Sequence, residues 1–312
     1  MKLIDLHCDT IDKLMDYPRS SLLKNDFSVD INKLKMSNSL VQAFALYFDL
    51  DLYRNDPFHR FEEMAEKFFQ QIDLNNEVIA LAKSYEDIIN NERNNKISAL
   101  LTIEEGGAIN GNINNLHKIY EKGVRLITLN WNYENEIGYP HNSKEFKDSG
   151  LKQFGLEAVE VMNELGIIID VSHLNDGGFY NVAKVSKKPF VASHSNARAI
   201  TNHSRNLNDD MIKALANCGG VTGINFCKFF LGDAHISRIE DIIKHINHIV
   251  NIGGIDVVAI GTDFDGIPNI VEIEDISEMY KLENELLKFG FKEDAIEKIM
   301  YKNALRVFKD VL

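Results

Sequence analysis

Histidine and carboxylate residues follow several short apolar segments of the chain, where they could bind metal ions. His7 and Asp9 are separated by one residue at the end of the first such segment, so an extended chain would direct both side chains to the same side. His173, His194 and Asp263 each follow a later segment. Imidazole and carboxylate groups are the ligands that zinc and similar divalent ions take in proteins. These residues therefore predict a metal centre, provided that the fold brings them together.

A further carboxylate comes from the adjacent residues Glu104 and Glu105, which precede two glycines after the third apolar segment. Because side chains alternate along a strand, one of the two faces the same side as the ligand-type residues of the other segments, but alternation does not say which. With one carboxylate shared, the ligand set is large enough for two ions. Two neighbouring divalent ions can hold a hydroxide nucleophile and polarise a carbonyl, which is a known route to peptide hydrolysis. A nearby carboxylate would then transfer the protons.

The segments that carry these residues alternate with stretches of helical periodicity, a pattern typical of parallel β/α units. Eight segments are predicted to be strands: residues 2–6, 40–48, 97–103, 124–129, 167–171, 189–193, 220–225 and 257–261. Consecutive right-handed units of this number predict a closed (β/α)8 TIM barrel, in which active sites form at the carboxyl ends of the strands. The chain after residue 273 reads as mostly helix and predicts a C-terminal helical extension.

Length and composition favour one domain over residues 1–312, because 45% of the residues are hydrophobic and no Gly/Ser linker divides the chain. The net charge of −13 opposes binding to nucleic acid. We find no segment typical of a signal peptide or a membrane span, and the three scattered cysteines suit a reducing compartment. We therefore expect a cytoplasmic protein without a membrane partner, which could assemble as a homodimer.

At the residues described above, the sequence resembles the membrane (renal) dipeptidase family, peptidase family M19, among the amidohydrolase-like metal-dependent hydrolases. The matching segments occur in the family's order: residues 5–9 (DLHCD), 105–107 (EGG), 170–173 (DVSH), 193–195 (SHS), 203–207 (HSRNL) and 261–266 (GTDFDG). The resemblance implies a binuclear zinc enzyme that hydrolyses the peptide bond of dipeptides through a hydroxide bridging the two metal ions.

The resemblance also implies the ligands of each ion. His7 and Asp9 would bind one zinc, and His173 and His194 would bind the other. Glu105 would bridge the two ions together with the nucleophilic water. These assignments come from the family pattern, since the spacing of the residues does not choose between Glu104 and Glu105.

The resemblance further implies that Asp263 moves a proton from the water to the leaving amine and that Arg205 binds the free carboxylate of the substrate. A planar guanidinium suits a carboxylate. Asn225 is a further candidate for substrate binding. The chain departs from the family after the fourth strand, where Trp131 stands at the position at which many members have a histidine that contacts the tetrahedral intermediate. The indole N–H could keep that hydrogen bond, or the ring could simply line the pocket.

The sequence leaves other functions, and the roles of several residues, open. The same metal site could serve a deacylase or a phosphoesterase, although Arg205 argues against a neutral ester, and a barrel can also be a non-catalytic binding protein. His141 lies in a loop at the predicted rim, where contact with substrate and a structural role are both open. Asp265 is interpreted as a residue that fixes a loop. His245 is interpreted as a surface residue of a helix.

Overall fold

The computed structural model describes residues 1–232, 235–268 and 270–312. In these ranges the chain forms nine strands, all in parallel pairs: β1 (Leu3–Cys8), β2 (Ser39–Tyr47), β3 (Ile79–Leu81), β4 (Ile97–Glu104), β5 (Val124–Thr128), β6 (Ile168–Asp170), β7 (Val191–Ala192), β8 (Val221–Ile224) and β9 (Val258–Ile260). Each of the eight predicted strands is present. The short strand β3 was not predicted.

Helices connect the strands and surround them. They are α1 (Thr10–Asp16), α2 (Ile31–Met36), α3 (Leu50–Tyr53), α4 (Pro57–Leu74), α5 (Tyr85–Arg93), α6 (Ile113–Glu121), α7 (Gln153–Leu165), α8 (Asp176–Val185), α9 (Asp209–Asn217), α10 (Lys228–Leu231), α11 (Ile239–Gly253), α12 (Tyr280–Phe289), α13 (Glu293–Glu297) and α14 (Asn303–Val311). Several begin at a capping side chain; Asn208, for example, accepts a hydrogen bond from the backbone of Met211 at the start of α9.

Eight strands close into a barrel in the order β1, β2, β4, β5, β6, β7, β8, β9, with β9 pairing back onto β1. Strand β3 pairs with the first residues of β4 and lies outside this ring. The strands are buried along nearly their whole length, which explains why they read as continuous apolar segments in the sequence. The predicted (β/α)8 TIM barrel is confirmed.

The predicted C-terminal helical region is also present, and its last helix closes one end of the barrel. Val307 and Phe308 of α14 are buried in one cluster with Ile4, Val41 and Leu100, which lie in the first halves of their strands. The amino end of the barrel is therefore filled with apolar side chains, and the carboxyl end is left for polar residues. In the part of the chain described, no helix combines the length and the apolar character needed to cross a bilayer.

Candidate active site

A buried carboxylate, that of Glu104, lies at the carboxyl end of the barrel among three histidine rings. Glu104 is the last residue of β4, whereas His7 lies in β1, His173 follows β6 and His194 follows β7. The Nε2 atoms of His173 and His194 lie 3.0 and 3.3 Å from Oε1 of Glu104, and Nε2 of His7 lies 3.4 Å from its Oε2. The barrel thus brings together residues that are distant in the sequence.

Two aspartates complete this group of side chains. Oδ2 of Asp9 lies 3.4 Å from Nε2 of His7, and Oδ1 of Asp263, which follows β9, lies 3.9 Å from the same nitrogen. The ligand atoms form three compact groups: His7, Asp9 and Glu104; Glu104, His173 and His194; and His7, His194 and Asp263. The first two groups share Glu104. We call the six residues together the metal-ligand cluster.

Buried polar atoms without hydrogen-bond partners show that the metal-ligand cluster fits divalent metal ions. Both ring nitrogens of His7 and Oδ1 of Asp9 are buried and have no hydrogen-bond partner among the described residues. A buried polar atom left without a partner destabilises a protein by about 1–3 kcal/mol, so such atoms usually meet a ligand, an ion or water. Imidazole nitrogens and carboxylate oxygens together are a donor set for zinc and similar ions.

The electrostatics of the cluster favour the protonation states that metal ligands need at Glu104, His173 and His194. Burial lowers the pKa of His194 well below its usual value and lowers that of His173 to about 4, so both rings stay neutral. Burial would raise the pKa of Glu104, but the charge of His7 and hydrogen bonds from His173 and His194 hold that pKa well below its usual value. A charged Glu104 carboxylate therefore lies between the neutral rings of His173 and His194. At His7, burial lowers the pKa, but the charges of Glu104 and Asp9 outweigh it and raise that pKa well above its usual value.

Glu105 does not lie in the metal-ligand cluster, which corrects the prediction that it is the shared carboxylate. Strand β4 ends at Glu104, and the backbone of Glu105 turns away with φ of 106°. Its Oε1 accepts hydrogen bonds from Nδ2 of Asn135 at 2.6 Å and from the backbone of Gly107 at 2.7 Å, and its Oε2 accepts one from the backbone of Trp131 at 3.1 Å. Glu105 thus binds the loop that follows β5.

Asn225, which is predicted to bind the substrate, lies behind Asp263. Its side chain is fully buried, and Nδ2 donates to Oδ2 of Asp263 at 2.8 Å and to the carbonyl of His194 at 3.2 Å. Both amide hydrogens are thus used inside the protein. The backbone of Gly266 approaches both aspartates so closely that a side chain would not fit there, since a Cβ atom would lie only 2.1 Å from Oδ2 of Asp9 and 2.9 Å from Oδ1 of Asp263.

Arg205 lies beside the cluster with its guanidinium almost completely buried. Nη1 donates to Oγ of Ser195 at 3.1 Å and Nη2 to the carbonyl of His194 at 3.2 Å, and the ring of Phe230 lies 5.4 Å away. Its Nε is buried without a hydrogen-bond partner in the described part of the chain. Because a guanidinium keeps its charge, this arrangement leaves a cationic donor for an anionic group.

A cavity of about 230 Å³ opens above the metal-ligand cluster. It is lined by Asp9, Tyr47, Glu104, Trp131, Asn132, His173, Cys227, Phe230, Asp263, Gly266, Ile267 and Pro268. The Trp131 ring is half-buried, and its centroid lies 4.8 Å from that of Tyr47 and 5.6 Å from that of Tyr133. One side of the cavity is therefore an aromatic wall in which Trp131 is the central ring.

Two residues that were not predicted from the sequence hold His194 from behind. Oγ of Ser193 lies 2.7 Å from Nδ1 of His194 and 2.5 Å from Oδ2 of the buried Asp170, so a carboxylate supports that ring through a hydroxyl. Such partners orient a metal-binding ring and raise its basicity. The segments DVSH and SHS contain both residues, and that was the available signal.

Asp265 and His245 both have structural roles. Asp265 accepts hydrogen bonds from the Thr10 hydroxyl and the Ser28 backbone, which confirms that it fixes a loop. His245 is fully buried, which corrects its assignment to the surface. Its Nδ1 accepts from the backbone of Ala197, and its Nε2 lies 2.9 Å from the carbonyl of Leu231.

Comparisons with known proteins agree on one family. The sequence profile of the membrane dipeptidase family, peptidase family M19, matches residues 1–312. An uncharacterized protein of Klebsiella pneumoniae is 37% identical over 230 residues, covering 70% of this chain and 84% of that protein. An uncharacterized dipeptidase of Schizosaccharomyces pombe is 30% identical over 332 residues, covering 99% of this chain and 80% of that protein.

Solved structures agree on the fold. A metallopeptidase of Rhodobacter sphaeroides, crystallised with a phosphinate mimic of the dipeptide L-Ala-D-Ala, superposes with a TM-score of 0.91 at 22% identity, covering 100% of this chain and 99% of that one. A dipeptidase of family M19 superposes with a TM-score of 0.92 at 23% identity, covering 100% and 98%. The chain therefore belongs to the membrane dipeptidase family, peptidase family M19, and is a metallodipeptidase.

Proposed function

We propose that this chain hydrolyses dipeptides with two zinc ions, for which Glu104 is the shared ligand. One observation carries the proposal: the Glu104 carboxylate lies within 3.4 Å of ring nitrogens of His7, His173 and His194, so it belongs to two ligand groups at once. His7 and Asp9 would complete one site, and His173 and His194 the other. Two ions held by these residues would supply a hydroxide nucleophile and would polarise the scissile carbonyl.

Asp263 is the residue that we assign to proton transfer. It lines the cavity, and Asn225 fixes one of its oxygens while the other stays beside His7. Burial raises the pKa of Asp263 to about 6, close to the range in which a carboxyl group can both accept and return a proton. Asp263 would take the proton from the attacking water and deliver it to the leaving amine.

Arg205 is assigned to the free carboxylate at the C-terminus of the dipeptide. A charge-assisted hydrogen bond contributes about 1.5–3 kcal/mol, so Arg205→Ala should lower kcat/KM by at least about tenfold. Dipeptides with an amidated C-terminus should lose less than the free acids, because they lack the charge that Arg205 would bind. Steady-state kinetics on matched acid and amide substrates measures this difference.

The control is Arg198→Ala. Arg198 lies in the same segment of chain but pairs with Asp176 at 2.7 Å, whereas the guanidinium of Arg205 contacts the carbonyl of His194. Loss of Arg198 should affect acids and amides alike. Equal losses on both substrates in Arg205→Ala would make Arg205 a structural residue.

Trp131 is expected to act as a wall of the substrate cavity, because its ring packs between Tyr47 and Tyr133. Trp131→Phe should therefore change KM more than kcat, since contact area binds substrate and transition state alike. An oxyanion donor behaves differently, and removing one lowers kcat by roughly 10²–10³-fold. A fall of that size in Trp131→Phe would assign the donor role to the indole.

Metal analysis together with a substrate panel tests the proposal as a whole. Purified protein freed of adventitious metal should contain about two ions per chain, since one zinc needs only about four ligands. It should hydrolyse dipeptides in preference to N-acyl amino acids and phosphoesters, which represent the alternative functions of such a site. One ion or none in active protein would exclude the binuclear centre. The cytoplasmic location and the homodimer that the sequence leads us to expect remain predictions.

A further inference from the structure

Asn132 lines the cavity next to Trp131, and its side-chain oxygen is held by two histidine rings. Oδ1 of Asn132 lies 3.1 Å from Nδ1 of His173 and 3.2 Å from Nε2 of His141. The side chain is half-buried and belongs to the same cavity as Glu104. Asn132 thus touches a candidate metal ligand on one side and the substrate cavity on the other.

The chemistry of the two rings fixes the orientation of the Asn132 amide. Nε2 of His173 lies in the metal-ligand cluster, so the ring hydrogen is on Nδ1 and must be donated to an acceptor. That acceptor is Oδ1 of Asn132, and because Nε2 of His141 faces the same oxygen, it must carry a hydrogen as well, with the Ser204 hydroxyl donating to Nδ1 of His141. Both rings then donate to one atom, which must be the amide oxygen of Asn132.

The NH₂ group of Asn132 is therefore on the side away from both rings. Its hydrogens have no acceptor among the described residues, and the cavity is the space that this side chain lines. An amide whose oxygen is anchored twice keeps a fixed direction without reorganisation during the reaction. That is the property that makes a hydrogen-bond donor effective toward charge that develops in a transition state.

We propose that Asn132 is a catalytic residue that donates a hydrogen bond from Nδ2 to the substrate carbonyl oxygen as that oxygen becomes negatively charged. The proposal rests on the proposed function of the metal-ligand cluster. It gives Asn132 two roles with separate atoms: Oδ1 orients His173, and Nδ2 acts on the substrate. The neighbouring Trp131 then needs to contribute only contact area.

Two substitutions of nearly the same shape separate these roles. Asn132→Asp keeps an acceptor for His173 and replaces the donor, whereas Asn132→Leu removes both without adding charge. If Nδ2 acts on the substrate, both variants should lose roughly 10²–10³-fold in kcat. Asn132→Asp should also keep its bound metal, because a carboxylate is a good partner for a metal-binding ring. Metal content is measured on the same preparations.

A second measurement does not depend on turnover. The affinity for a phosphinate dipeptide analogue, whose tetrahedral centre resembles the reaction intermediate, should fall in Asn132→Asp by a factor similar to the loss in kcat. Binding of a free amino acid product should change only a few-fold. Asn142→Asp is the matched control, because Asn142 is an exposed residue of the same loop whose side chain donates a hydrogen bond to the backbone carbonyl of Asn132 and does not line the cavity. Its activity should stay within about twofold of the parent's.

Three results would overturn the proposal. Asn132→Asp with kcat within a few-fold of the parent's would leave Asn132 only the task of orienting His173. Loss of activity in Asn132→Asp but not in Asn132→Leu would mean that the added negative charge, and not the loss of the donor, lowers the activity. Loss of metal together with activity in Asn132→Asp would likewise remove the donor role. A parent protein that neither binds metal nor cleaves dipeptides would instead reject the proposed function itself.

Discussion

Replacing Glu104 with glutamine is expected to lower the metal content from about two ions per chain to one or none and to reduce kcat/KM by at least about 10²–10³-fold. The reason is that a single carboxylate belongs to two of the three ligand groups, so its loss affects both sites. Elemental analysis and dipeptide hydrolysis on the same sample measure the two effects.

Glu105→Gln is the matched control, because Glu105 is the adjacent glutamate and is equally buried. Its oxygens accept three N–H groups, and a glutamine would replace one acceptor by a donor. We expect the metal content to stay unchanged and the free energy of unfolding to fall by about 1–3 kcal/mol. If Glu105→Gln lost metal while Glu104→Gln kept it, the assignment of the shared ligand would be reversed.

Asp263→Asn is expected to keep the fold and bound metal but to lower kcat by roughly 10²–10⁴-fold, the usual contribution of a positioned proton-transfer group. Asparagine tolerates the left-handed backbone of this residue, whose φ is 62°, and its amide oxygen can still accept from Asn225. Only the exchangeable proton is lost. Rates at saturating dipeptide, with metal content measured in parallel, give the comparison.

Asp265→Asn is the control for this substitution. Asp265 is two residues away, has φ of 69°, and binds Thr10 and Ser28 rather than lining the cavity. We expect the variant to be less stable by about 1 kcal/mol and to keep kcat within a few-fold of the parent's. Asp263→Asn with nearly full kcat would move proton transfer to another group.

The sequence could predict the barrel because its strands are buried on both faces and are therefore nearly continuous apolar segments. Strand β3 escaped this pattern, since it has three residues, of which only Ile79 is fully buried, and it pairs outside the closed ring. The positions of His7, His173 and His194 were also predictable, because the carboxyl ends of parallel strands meet at one edge.

Whether Glu104 or Glu105 faces the metal-ligand cluster depends on contacts between residues that are distant in the sequence, which no local sequence pattern contains. Alternation requires the two side chains to face different ways, and the direction is set where the backbone leaves β4 with φ of 106°. Glu105 is held in that conformation by Asn135, thirty residues farther along the chain. The family pattern EGG favoured Glu105, although the residue that ends the strand is the one directed inward.

Polar residues at the carboxyl end of the barrel were found, but their partners were not predictable. Asn225 and His245 are both fully buried and bind other protein groups. A polar side chain in a sequence could meet substrate, solvent or backbone, and only the assembled loops decide among these.

The left-handed backbone at Glu105 links the loop that follows β5 to the end of strand β4. A non-glycine residue in this conformation stores about 1–3 kcal/mol of strain and persists only where surrounding contacts enforce it. Those contacts are hydrogen bonds to the loop that carries Trp131 and Asn132. Opening of that loop would release the strain next to Glu104. We therefore expect the loop that forms one wall of the cavity and the carboxylate of Glu104 to lose their order together, as one unit of local unfolding.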